Sequence, residues 1–111
     1  MGKIADETIQ RMVETVVREA QPEMVYVFGS YARGQAREES DVDLLIVESA
    51  DFGPGRSRWA EVKRIRRALS GFRVPKDILV FSKGEFDYWK SASSHVIAQA
   101  AKNGRLAYAR S

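Results

Sequence analysis

Apolar residues recur at Ile9, Met12, Val13, Val16, Val17 and Ala20. That spacing predicts an amphipathic first helix, with Pro22 just past its end. Met24 to Phe28 is a short apolar run and predicts a strand. Residues 30–36 predict a short helix. Leu44 to Val47 continues a second strand that Asp41 and Asp43 open. Ser49 to Ser57, with Gly53-Pro54-Gly55, predicts a loop. Trp59, Val62, Ile65 and Leu69 mark a second long amphipathic helix, which Gly71 ends. Residues 76–81 predict a third strand. Ser82-Lys83-Gly84-Glu85 matches a capping box that opens another helix. A last helix spans residues 94–103, presents Val96, Ile97, Ala100 and Ala101, and stops at Asn103-Gly104. The order α-β-α-β-α-β-α argues for a small α/β sheet with helices packed on it.

Composition narrows the class. The 111 residues are 44% hydrophobic, which argues against disorder. They suffice for one domain over residues 1–111, burying roughly two-thirds of its unfolded surface. There is no cysteine, so disulfides and thiolate metal sites are excluded. Asp6, Glu7, Arg11 and Glu14 stand where a signal peptide needs an apolar run. The longest apolar runs are too short to span a bilayer. A cytoplasmic location and no membrane partner are expected. The net charge of +3 suits an anionic substrate such as a nucleoside triphosphate, and does not call for nucleic acid.

Residues 28–47 carry the chemistry. A Gly29-Ser30 turn directly follows an apolar strand, and Asp41 and Asp43 open the next. Side chains two apart on a strand share a face, roughly 6–7 Å apart along the chain. Two carboxylates that close repel unless a cation sits between them. A hard divalent ion with oxygen ligands, Mg²⁺, meets that need. The Gly-Ser turn offers backbone N–H groups and a hydroxyl, a cradle for phosphate. Each signal alone is ordinary turn or strand-edge chemistry. Together, each attached to its own strand, they point to phosphoryl or nucleotidyl transfer. Asp77, at the start of the third strand, is a third acid; alone, it reads equally as a partly exposed strand-end carboxylate.

These residues resemble the nucleotidyltransferase superfamily of DNA polymerase β. Gly-Ser-Tyr-Ala-Arg-Gly at 29–34, followed by Ser-Asp-Val-Asp-Leu at 40–44, looks like its minimal nucleotidyltransferase (MNT) branch. The branch consists of small proteins often encoded beside a helical HEPN-domain partner. The resemblance runs from the first helix to the tail Gly104-Arg105-Leu106-Ala107-Tyr108. It implies a mixed three-stranded sheet and in-line attack on an α-phosphorus, with pyrophosphate leaving. It implies ATP as substrate and two Mg²⁺ ions, held by Asp41, Asp43 and Asp77, with Asp77 also helping to deprotonate the acceptor. Gly29 and Ser30 would hold the terminal phosphates. Arg33 would neutralise triphosphate charge, unless it forms a structural salt bridge to Glu38 or Glu39.

Strand parity sets a condition on the site. Asp41, Asp43, Leu45 and Val47 share one face, and Asp77 shares a face with Leu79 and Phe81. The acids meet only if those faces coincide at one end of adjacent strands.

Other residues have plainer readings. Arg56, Arg58, Lys63, Arg64, Arg66 and Arg67 fall mostly on the outer face of the second helix. A solvated face accounts for them, with an acidic partner as the alternative. His95 is the only histidine and reads as a helix-start residue. Phe86, Tyr88 and Trp89 read as core or as a partner surface.

Larger relatives carry a second domain that grips the base or acceptor, so part of the pocket is expected from a partner chain or a homodimer. The resemblance implies transfer of AMP to a hydroxyl of a HEPN toxin. The alternatives are an antitoxin that binds its partner without catalysis, and transfer to a small molecule such as an aminoglycoside.

Overall fold

The computed structural model describes residues 6–28 and 42–110. Helix α1 (Asp6–Ala20) leads to strand β1 (Met24–Phe28). Strand β2 (Val42–Glu48), helix α2 (Arg58–Ala68) and strand β3 (Lys76–Ser82) follow. Helices α3 (Lys83–Trp89) and α4 (Val96–Asn103) precede strand β4 (Arg105–Ala109). The sheet order is β3-β2-β1-β4. β2 and β3 run parallel, with α2 as their crossover, and β1 is antiparallel to both β2 and β4. The expected helix over 30–36 lies outside the described residues.

The sheet is mixed, as expected, but has four strands. Residues 105–109, read from the sequence as a tail, pair with β1, Arg105 opposite Val27 and Tyr108 opposite Val25. The pattern of β4 hides it: Arg105, Leu106, Ala107 and Ala109 are all exposed, so no apolar alternation marks the strand.

Helices cover both faces. Val25, Val27, Val42, Leu44, Ile46, Ile78 and Val80 pack against Ile9, Met12, Val13 and Val16 of α1 and Ile65 of α2. On the other face Leu45 and Val47 pack with Phe86 of α3 and Ile97 and Ala100 of α4. β2 is therefore buried on both sides, which is why Leu44-Leu45-Ile46-Val47 is a continuous apolar run rather than an alternating one.

Local signals place the ends. Gln21 takes the left-handed conformation (φ 48°), its N–H donates to Val17 C=O at 3.0 Å, and α1 stops there. Ser57 caps α2 by accepting from the Ala60 N–H. The Ser82–Glu85 capping box forms in full: Ser82 Oγ accepts from the Glu85 N–H, and Glu85 accepts from the Ser82 N–H. His95 starts α4, its Nδ1 accepting from the Ile97 N–H at 3.1 Å.

One expectation fails on α2. The sequence puts Trp59 on the apolar stripe, but the structure leaves it 69% exposed. At about 100° per residue, Arg58 rather than Trp59 lines up with Val62, Ile65 and Leu69. Arg58 is correspondingly not an outer-face residue. It donates to Val80 C=O (2.8 Å) and to Glu85 (2.9 Å), and lies over the rings of Phe52 and Phe81.

Candidate active site

The last residue of β1 and the first residues of β2 and β3 meet at one end of the sheet. Phe28 is the register partner of Asp43, and Asp43 is the register partner of Asp77. Asp43 shares its face with Leu45 and Val47, and Asp77 shares the same face with Leu79 and Phe81, the side covered by α3 and α4. The parity condition is met for these two acids. Asp43 is half-buried and Asp77 exposed. The register is fixed by main chain: the Val42 N–H donates to Pro75 C=O at 2.9 Å, just ahead of the paired residues. Lys76 Nζ, beside Asp77, is turned to Phe72 C=O at 3.0 Å.

Gly29, Ser30, Arg33 and Asp41 lie outside the described residues. So do Glu38, Glu39 and Ser40. Their chain positions still bound the site. Gly29-Ser30 follows Phe28 directly, and Asp41 stands two residues before Asp43.

Partners on adjacent strands stand roughly 5 Å apart. Two carboxylates on one face at that spacing favour a shared cation, and their hard oxygen donors suit Mg²⁺. The donor set thus fits the ion that the motif implies. Among the described residues no group of three or more acids, histidines or cysteines is placed to hold a metal ion. A cavity of about 590 Å³ lies between α1 and β4, lined by Ile9, Val13, Val17, Leu106 and Tyr108. It opens on the face opposite Asp43 and Asp77, and we assign it no part in their chemistry.

A buried carboxyl that sequence reading missed stands at the far end of β2. Glu48 is 3% exposed. Burial, then the hydrogen bond and charge of Glu61, push it up to about 7, with Arg56 opposing. Burial also pushes Glu61 up, but hydrogen bonds with Arg64 and Glu48 and the charges of Arg64 and Arg56 hold it below the usual carboxylate value. Glu48 Oε2 is buried without a donor among the described residues. A proton on Glu48, donated to Glu61, satisfies both groups. The signal was present in the sequence: Glu48 continues the inward series Val42, Leu44, Ile46.

Among the described residues, no helix is long and apolar enough to cross a membrane.

The nucleotidyltransferase domain family matches residues 9–106. The protein adenylyltransferase MntA of Thermococcus cleftensis is 46% identical over 50 residues, covering 43% of this chain and 46% of that protein. The chain spans about half, or less, of the length of the curated relatives it matches. A crystal structure described as a candidate nucleotidyltransferase from Sulfolobus solfataricus superposes with a TM-score of 0.65 at 26% identity, over 94% of this chain and 79% of that one. A structure of the tri-AMPylated HEPN toxin of Shewanella oneidensis in complex with MNT antitoxin superposes with a TM-score of 0.54, over 94% of this chain and 71% of that one. At 16% identity this last likeness is one of fold alone. A match that takes in most of α1, all three strands of the Phe28–Asp43–Asp77 row and the start of β4 leaves one assignment: the chain belongs to the nucleotidyltransferase domain family.

Proposed function

We propose that the chain transfers AMP from ATP to a hydroxyl of a partner protein, the partner being a HEPN-type toxin. The observation that carries this reading is the row Phe28–Asp43–Asp77, which sets two acids on one face beside the strand end that leads into Gly29-Ser30. Family membership supports nucleotidyl transfer, and the protein adenylyltransferase at 46% identity supports a protein acceptor.

In this account Gly29 and Ser30 bind the terminal phosphates through backbone N–H groups and the hydroxyl. Arg33 neutralises triphosphate charge. Asp41, Asp43 and Asp77 would hold Mg²⁺, which when bound offsets the negative charge gathering on the phosphates and favours the ionised acceptor. Asp77, exposed at the sheet end, takes the proton of the acceptor hydroxyl. The acceptor oxygen bonds to the α-phosphorus as the bond to the bridging oxygen breaks, and pyrophosphate departs. The half-buried Asp43 keeps its carboxylate fixed by its place in β2, between two paired strands.

The test is to co-express the chain with the product of the neighbouring gene, add ATP and Mg²⁺, and read intact mass. Gain of adenylate on the partner, absent with EDTA, is expected. An unmodified partner that the chain nevertheless neutralises would replace catalysis with stoichiometric binding.

A further inference from the structure

The basic residues of α2 and of the loop just before it divide into two sets. Arg56, Arg58 and Arg64 are spent on ion pairs: Arg56 with Glu48, Arg58 with Glu85, and Arg64 with Glu61 at 2.7 Å. Arg64 also donates to Glu19 C=O and so ties α2 to α1. Lys63, Arg66 and Arg67 are exposed and have no ion-pair partner among the described residues. They also share a position. At about 100° per residue, Trp59, Lys63, Arg66, Arg67 and Ser70 fall within one outward stripe, turned away from Ile65 and Leu69. Neighbouring cations on it stand roughly 5–6 Å apart. Its amino-terminal end carries the 69%-exposed indole of Trp59, although the core slot of that turn is filled by Arg58.

We propose that this stripe of α2 docks an acidic segment of a partner polypeptide, with Trp59 as its apolar anchor. Three cations on one helix face, unpaired among the described residues, call for carboxylates at matching spacing, as along one face of an acidic helix. An exposed tryptophan beside arginines has the composition of an interface hot spot. A phosphodiester chain fits the surface less well. The stripe is the convex side of a helix, and neither described cavity is lined by α2. Arg64, at its border, is already paired with Glu19 and Glu61, so the stripe offers discrete carboxylates three cations but gives a continuous anion no further cation to run on to. This inference does not depend on the transfer reaction, and none of these residues belongs to the proposed site.

Fluorescence of Trp59 in a Trp89→Phe background reads the stripe directly. Two probes of equal charge are titrated: a synthetic helical peptide with glutamates at i, i+4 and i+7 around one leucine, and an oligouridylate. We expect the peptide to bind more tightly than the oligouridylate. Arg66→Glu with Arg67→Glu should weaken peptide binding at least tenfold without moving the melting temperature or ATP binding, since both side chains are solvent-facing. Tighter binding of the oligouridylate would make the stripe a nucleic-acid surface and overturn the proposal. Peptide binding unchanged by the charge reversal, or absent, would return the stripe to a solvated face and overturn it equally.

Discussion

Asp43 and Asp77 are register partners across the parallel pair β2 and β3, one half-buried and one exposed, on the same face of the sheet. They are 34 residues apart in sequence, and the α2 crossover is what brings them level. The remaining structure serves largely to hold that pairing.

Glu48 gives the fold a pH dependence of unusual sign for a carboxylate. Its folded value of about 7 lies above the ordinary 4.5, so between these values the folded state holds more protons than the unfolded. Stability should therefore fall as pH rises from about 4.5 to about 7, then level off. Because the proton is shared with Glu61, about 1–3 kcal/mol is expected for the step. Glu48→Gln, which still donates to Glu61, should flatten it. Thermal melts at pH 5 and pH 8 check this. A step of the same size in wild type and variant would assign it elsewhere.

Arg58 joins α2 to the sheet and to α3. Arg58→Ala removes its bonds to Val80 C=O and Glu85 and its packing over Phe52 and Phe81. The side chain is 40% exposed, so solvent screens the ion pair. A loss of about 1–2 kcal/mol is expected, and a melting temperature lower by roughly 4–12 °C. Trp59→Ala, one residue on, should change stability by less than about 0.5 kcal/mol, because its ring faces solvent. Equal losses from the two variants would contradict the assignment of the α2 faces.

Gly104 is needed for space rather than for backbone conformation. Its φ of −82° is open to any residue, but a Cβ there would stand 2.5 Å from Ala100 C=O and 3.2 Å from Phe28 Cβ. Ala100 C=O already accepts the Gly104 N–H at 2.8 Å, so it has little freedom to move. Gly104→Ala should cost about 1–3 kcal/mol. It presses on the end of β1, next to Gly29-Ser30, so ATP affinity should fall in protein that remains folded. Calorimetry below the melting temperature separates the two effects.

Much of this was legible in the sequence, for identifiable reasons. β1 is an apolar run that Gly29-Ser30 follows in the sequence, and the structure has it at Met24–Phe28. The Ser82–Glu85 capping box and the His95 cap are local chemistry, set within three residues, and both form. Three features were not legible. β4 is an edge strand with an exposed pattern, recognised by its pairing with β1 alone. Trp59 attracted the core assignment by hydrophobicity, while the helical angle favoured the charged Arg58, whose partners Val80 and Glu85 are distant in sequence. Glu48 could be placed inward by parity, but its proton depends on Glu61 of α2, a tertiary contact. For the site, parity stated the condition under which Asp43 and Asp77 meet, and only the parallel register of β2 and β3 satisfies it.

The central claim is that the Asp43–Asp77 pair performs nucleotidyl transfer. The most direct measurement is the rate of labelled AMP transfer to the co-expressed partner, for wild type, Asp43→Asn and Asp77→Asn, at saturating ATP and Mg²⁺. Asp77→Asn should bind ATP nearly as wild type does and lose about 10²–10⁴-fold in rate, the usual worth of a positioned proton acceptor. Asp43→Asn should lose both ATP affinity and rate. Both proteins should melt within a few degrees of wild type. If both folded variants transfer AMP at the wild-type rate, the pair is two strand-end carboxylates, and the reaction belongs to other residues.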